Sequence, residues 1–203
     1  MRVLWLSFAV VLADQFTKLL VRGLTFAPMH ISWPGLPYGI SHKVFGEFVR
    51  LTYIENPGMA FGIELGGKFW FALISIVAGL LILFYLYTVR HERLGFRIAL
   101  ALILGGAIGN LVDRVFYGVL FDQAPLFYGK VVDFIDVDFF NINLGFYHFH
   151  RWPVFNIADA CVTIGVMLVF IFHGTVVPRG HPLLHDDITT DPAHPNEAPA
   201  SKH

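Results

Sequence analysis

Asp133 and Asp159 stand in segments otherwise rich in Val, Ile, Phe and Ala, and a few polar residues keep helical spacing in the apolar runs around them. Asp14 and Lys18 are four residues apart and share one helix face, where opposite charges pair. Asn110 and Arg114 repeat that spacing in another apolar run, with Asp113 on a neighbouring face. Asn156 and Asp159 are three apart at the beginning of a further one. An Asp, Lys or Arg at the centre of a membrane helix costs about 2.5–3.5 kcal/mol, so its placement matters. Two carboxylates from different segments, held close at a half-apolar interface, cannot both ionise readily, and one keeps a proton while the other stays anionic. Such an anion can deprotonate a water while the acid donates toward an amide carbonyl under attack. The plain alternative is that these groups glue helices together or sit in headgroup water.

The elements that must hold these residues are membrane spans. Hydrophobic residues make up 56% of the 203 residues and charged residues 14%, against about 25% charged in soluble chains. Mean hydropathy is +0.63. Four stretches reach the ~20 apolar residues a bilayer needs, at about residues 3–21, 69–89, 94–117 and 155–177. The first begins after Arg2, but Asp14 interrupts its apolar core and no small-x-small site follows, so it reads as a retained span rather than a cleaved signal. Arg90, Arg93 and Arg97 crowd the short second connection and place it in the cytoplasm. Both termini are then cytoplasmic, segments 22–68 and 118–153 face outward, and the polar residues gather at the outer end. The expected fold is a membrane all-α protein with a small β component. It is a four-transmembrane-helix bundle with an extracytoplasmic β-rich segment between spans one and two and a lengthened outer loop between spans three and four.

Residues 47–55 and 130–140 read as short strands at the membrane surface, and Asn56-Pro57-Gly58 as a turn. Gly105, Gly106 and Gly109 let span three pack closely. One cysteine, Cys161, excludes an internal disulfide and reads as an inert packed thiol. A net charge of -1 argues against a nucleic-acid partner or a polybasic anchor. Residues 179–203 form a polar cytoplasmic tail with no apolar period, which reads as disordered.

Five ordered blocks carry a resemblance: Asp14-Gln15-Phe16-Thr17-Lys18; Glu55-Asn56-Pro57-Gly58-Met59-Ala60-Phe61-Gly62; Gly105-Gly106-Ala107-Ile108-Gly109-Asn110-Leu111-Val112-Asp113-Arg114; Val131-Val132-Asp133-Phe134; and Phe155-Asn156-Ile157-Ala158-Asp159. Together, on this hydropathy profile, they resemble bacterial lipoprotein signal peptidase, or signal peptidase II. The resemblance implies an aspartyl endopeptidase of the bacterial cytoplasmic (inner) membrane, with its active site at the outer face. Its substrates would be diacylglyceryl-modified prolipoproteins, cut just before the lipid-modified cysteine. It implies Asp133 and Asp159 as the catalytic dyad. Asn56, Gly58, Asn110, Arg114 and Asn156 would line the site, with Asp14 and Lys18 supporting it. Sensitivity to globomycin-type inhibitors is implied, and no metal or other cofactor. One bundle suffices to enclose the site, so a monomer is expected, in contact with membrane lipid.

The stretch from Arg114 to Asp133 is longer than the family pattern, and the first outer segment is extended around residues 28–41. Both leave the shape of the outer cover open. A rival register would use Asp136 or Asp138 in place of Asp133, but these read as exposed positions on a short strand. An ion-coupled transporter needs acids near the midplane and an internal repeat, and neither is visible. Asp133, Asp136 and Asp138 have the oxygen ligands for a divalent cation but no accompanying phosphate motif. His148 and His150 lack further ligands at zinc spacing. Ser41-His42-Lys43 are sequence neighbours, which do not point at one another.

Overall fold

A computed structural model describes residues 2–26, 30–58, 68–138, 142–143, 148–149 and 151–173. The chain begins with α1 (Leu4–Arg22), followed by a two-stranded ribbon of β1 (Leu24–Phe26) and β2 (Ile31–Trp33). Next come β3 (Ser41–Phe45), β4 (Val49–Asn56), α2 (Lys68–Thr88) and α3 (Leu94–Val112). A π-helical turn over Asp113–Tyr117 continues α3 into the short α4 (Gly118–Leu120). The last elements are β5 (Val131–Val137), the two-residue strands β6 (Ile142–Asn143) and β7 (His148–Phe149), and α5 (Ile157–His173). The 179–203 tail lies outside the described residues.

Among the described residues, three helical stretches are long and apolar enough to cross a membrane: Leu4–Arg22, Phe69–Thr88 and Leu94–Leu120. A shorter apolar helix, Ile157–Phe172, accompanies them. α3 is the central one. Half of its apolar window is buried inside the protein, against 11% for the Phe69–Thr88 stretch, which therefore leaves most of its surface to lipid. Trp5, Phe8, Phe16, Phe84 and Phe170 are likewise exposed and need lipid to cover them.

Small residues let α3 sit this deep. A Cβ added at Gly105 would meet Val10 Cβ at 2.8 Å and Ser7 O at 2.9 Å on α1. One at Gly106 would strike Ala158 O on α5. Between apolar helices, this close backbone approach supplies the dispersion contact that lipid cannot replace. Ser7 adds a hydrogen bond across the gap, its hydroxyl donating to Ala101 O at 2.7 Å.

A three-stranded antiparallel sheet, ordered β3-β4-β5, covers one end of the bundle. Its central strand joins the two segments that the sequence separates most widely, with Ile54 opposite Asp133 and Asn56 opposite Val131. Two apolar clusters hold the ends of the assembly. One groups Val3, Leu86, Phe96, Leu100 and Leu104, away from the sheet. The other groups Val21, Tyr53, Tyr117, Val132 and Phe134, beneath it. Along α1 and α3 the polar residues fall between them.

Candidate active site

α5 opens with a reciprocal cap. Asn156 Oδ1 accepts the Asp159 N–H at 2.9 Å, and Asp159 Oδ2 accepts the Asn156 N–H at 3.3 Å. This is the capping-box arrangement that an acid three residues after an N-cap permits. It fixes Asp159 in the first turn, where the partial positive charge of a helix N-terminus favours an anion. The Asp14 carboxylate takes the next donor, Ala158 N–H, at 3.0 Å. Asp133 arrives from β5 and is 1% exposed, whereas Asp159 keeps partial access to solvent.

Two asparagines join these acids. Asn156 Nδ2 donates to Asp133 Oδ1 at 2.6 Å and to Asn110 Oδ1 at 3.0 Å. Asn110 Nδ2 donates to Asp159 Oδ1 at 2.7 Å. Asn56 Nδ2 donates to the other Asp133 oxygen at 3.2 Å, and Gly58 N–H donates to the Asn56 side-chain Oδ1 at 2.9 Å. That turn requires Gly58, whose φ of 92° is a conformation other residues rarely adopt. Burial, and after it the negative charge of Asp159, push the Asp133 carboxyl up to about 7. Arg114 lies within electrostatic reach of Asp113, Asp133 and Asp159.

Behind this pair is a fully buried charge cluster. Lys18 Nζ lies 2.8 Å from Asp14 Oδ2 and 2.9 Å from Asp113 Oδ2, and donates to Asn110 Oδ1 at 2.9 Å. Gln15 Nε2 bridges the two acids, donating to Asp113 Oδ1 at 2.8 Å and Asp14 Oδ2 at 3.2 Å. Asp113 Oδ2 accepts the Val132 N–H at 3.0 Å, which ties β5 to the π turn. The nine site positions expected from the sequence thus gather at one end of the bundle, and the Asp14–Lys18 pair forms as its spacing implies.

Sequence reasoning missed Gln15 and Asp113 as members of the cluster. Both stand inside the quoted motif blocks, which was the available signal. Asp113 faces Lys18 together with Asn110, three residues before it, as ordinary helical spacing allows. The reading of Asp136 as exposed is corrected: it is 4% exposed. β5 has β4 on one side and residues 152–155 on the other, so Asp136 is covered and bound by Thr52 and Arg151. Asp138 is half-buried and also faces Arg151. β5 spans Val131–Val137 rather than the expected 130–140, and residues 139–140 lie outside the described residues. The long stretch before Asp133 folds back on the π turn, with Phe127 N–H on Val115 O at 3.1 Å and Gly129 N–H on Arg114 O at 3.0 Å.

The chain is similar to known proteins over most of its length. The model of the signal peptidase (SPase) II family matches residues 6–174. The lipoprotein signal peptidase of Pelodictyon phaeoclathratiforme is 35% identical over 179 residues, 88% of this chain and 94% of that protein. The lipoprotein signal peptidase of Syntrophus aciditrophicus is 39% identical over 167 residues, 80% of this chain and 85% of its own. A solved bacterial membrane enzyme superposes with a TM-score of 0.60 at 30% identity, covering 87% of this chain and 94% of that one. A multi-pass helical protein with paired aspartates at its sheet-covered end, matched over nearly its whole apolar length, belongs to the signal peptidase II family.

Proposed function

We propose that this membrane peptidase removes signal peptides from diacylglyceryl-modified prolipoproteins with Asp133 and Asp159 as its catalytic dyad, cutting just before the lipid-modified cysteine. The observation that carries the assignment is the Asn156–Asn110 bridge, which bonds one aspartate at each end. Asp133 is the acid at rest. It is the more buried of the two, and burial together with its neighbour's charge holds it protonated up to about 7. Asp159, at a helix N-terminus and open to water, is the base.

Asp159 takes a proton from a water whose oxygen bonds to the scissile carbonyl carbon, and Asp133 gives its proton to the carbonyl oxygen as the C=O double bond opens. The tetrahedral intermediate collapses as the C–N bond breaks. The proton on Asp159 passes to the leaving amine, and the hydroxyl proton returns to Asp133. Asn56 and Asn156 hold Asp133, Asn110 holds Asp159, and the charge of Arg114 stabilises the anion shared by the pair. A divalent-cation reading through Asp133, Asp136 and Asp138 loses its support because Arg151 occupies the last two.

We assign α5 as a fourth span, both termini to the cytoplasm and the site to the outer face of the inner membrane, and take the functional unit as a monomer. Arg90 and Arg93 in the α2–α3 connection and Arg97 in the first turn of α3 support the orientation. A substrate cysteine anchored by its acyl chains stays near the headgroups. Asp159, the third residue of α5, is then only ~3–5 Å below the helix start. The purified enzyme should cleave a diacylated prolipoprotein, be blocked by globomycin and be indifferent to EDTA. Asp133→Asn and Asp159→Asn should each lower kcat at least ~10³-fold while the protein stays folded, and wild-type kcat should fall above an apparent pKa near 7. Activity in either variant would sink the dyad.

A further inference from the structure

β5 has a second partner besides β4. Residues 151–156 run antiparallel along it, with Trp152 N–H donating to Val137 O at 3.2 Å and Phe155 N–H to Ile135 O at 3.0 Å. Ile135 N–H returns a bond to Phe155 O at 2.7 Å. The stretch ends at Asn156, which holds Asp133 and caps the helix that carries Asp159. The stretch thus links the strand that carries Asp133 to the helix that carries Asp159. Its middle is weak as a ladder, because Pro153 has no N–H to give.

At the far end stands Arg151. Its Nε lies 2.7 Å from Asp136 Oδ1 and its Nη1 lies 3.6 Å from Asp138 Oδ2, while Nη2 donates to Glu47 O at 3.5 Å. The second Asp136 oxygen accepts the Thr52 hydroxyl at 2.9 Å, and Thr52 is bonded to Ser41 at 2.7 Å. One carboxylate thus ties β3, β4 and β5 to the strand-like entry of α5. A charge-assisted pair of this geometry is stronger than a neutral bond. Asp136 is almost wholly shielded from water, so it depends on those partners.

We propose that Asp136 and Arg151 are positioning residues, a latch that keeps residues 151–156 in register on β5 and so sets the Asp133–Asp159 spacing. The inference rests on the dyad reading. It predicts that loosening the latch widens the spacing without altering where substrate is held. Binding should change little while the chemical step slows.

The test measures kcat, KM and the pH dependence of kcat for Asp136→Asn, Arg151→Ala and Arg151→Lys on a diacylated prolipoprotein, with thermal unfolding in detergent as the control for folding. Asp136→Asn keeps the shape and the Thr52 bond, and is the variant chosen to stay folded. Expected are a 10- to 100-fold loss of kcat in Asp136→Asn and Arg151→Ala with KM within threefold. The upper pH limb should move to lower pH, because a wider pair raises its acid less. Asn56, Asn156, Lys18, Arg114 and Asp159, the groups that act on Asp133, are untouched in all three. Arg151→Lys, which keeps the ion pair, should recover most of the rate. Folded latch variants with wild-type kcat and an unmoved limb overturn the proposal, as does a change in KM alone. Loss of the folded state in both Asp136→Asn and Arg151→Ala, with Arg151→Lys indistinguishable from wild type, also overturns it, since the role is then structural only. Asp133→Asn and Asp159→Asn run alongside: if either stays active the dyad reading fails first, and if both are inactive the latch is judged on its own.

Discussion

Asp14 and Asp113 share a buried lysine, whereas Asp133 on β5 and Asp159 on α5 share asparagines. In the first pair Lys18 Nζ lies within 3 Å of each carboxylate and backbone or amide donors take the remaining lone pairs. One cation is thus divided between two carboxylates, and the cluster serves as a joint between α1, the π turn and β5. In the second pair the donors are Asn56, Asn110 and Asn156, which are neutral. The acids remain coupled to one another rather than cancelled. Identical side chains, separated by one layer of asparagine, form a strut in one place and, in the proposed mechanism, a proton-exchanging pair in the other.

Four substitutions probe that contrast. Lys18→Met should have the largest effect on the fold. It leaves two carboxylates without their cation at full burial, a loss of roughly 3–5 kcal/mol, read as a drop in unfolding temperature in detergent. If Lys18→Met unfolds as the wild type does, the strut description is wrong.

Asp133→Asn should do the opposite. Asp133 in the folded protein titrates at about 7, above its ordinary 3.8. The folded state therefore binds the proton more tightly than the unfolded one. The resulting stabilisation is complete below about pH 4 and is lost as pH rises through about 7. Removing the group relieves that loss, so the variant should be more stable than wild type by on the order of 2–4 kcal/mol at pH 8 and nearly unchanged at pH 4. Equal stabilities at both pH values would show that the pair is as well balanced as the strut.

Gly109→Ala sharpens the geometry, because an added Cβ would meet Asp14 Oδ2 at 2.7 Å and Ala158 Cβ at 3.2 Å. It should cost about 1–3 kcal/mol through overpacking and also lower activity, measured by unfolding and cleavage together. Lys43→Ala supplies the baseline. Its partner Glu47 is as exposed as it is, and the unfolding temperature should not shift measurably.

The apolar helices were legible because lipid imposes a length and an apolarity that no other environment demands: α1 and α2 begin and end within a residue of the expected runs, and α3 reaches Tyr117 only by way of the π turn. The pairing of Asp14 with Lys18 was legible for the equally local reason of helical spacing. Less of the sheet could be read. That β4 and β5 are strands follows from their composition, but that they pair, with Glu55 opposite Val132, depends on two segments that meet only once α2 and α3 have packed. The burial of Asp136 fails for the same reason. A strand with one free side would expose it, and residues 152–155 supply the second cover from beyond residues 139–150. Glu55 is a further case. Burial alone would raise its carboxyl, yet Tyr53, Lys130 and Arg22 together hold it below the usual range. Tyr53 is two residues away on the same strand, but Arg22 and Lys130 come from distant stretches, and no local pattern announces them.

The self-paired face of α1 also bears on how the chain enters the bilayer. A helix emerging with a lone lysine and a lone aspartate would carry two insertion penalties of about 2.5–3.5 kcal/mol each. With the two groups 2.8 Å apart on successive turns, α1 presents a single neutralised dipole and can enter before any neighbour arrives. Asp113 and Asn110 follow later in the chain with α3 and take up the remaining donors of Lys18. The lysine thus acts as a docking key whose lock is synthesised about ninety residues later, so the order of translation matches the order in which its hydrogen bonds can be completed.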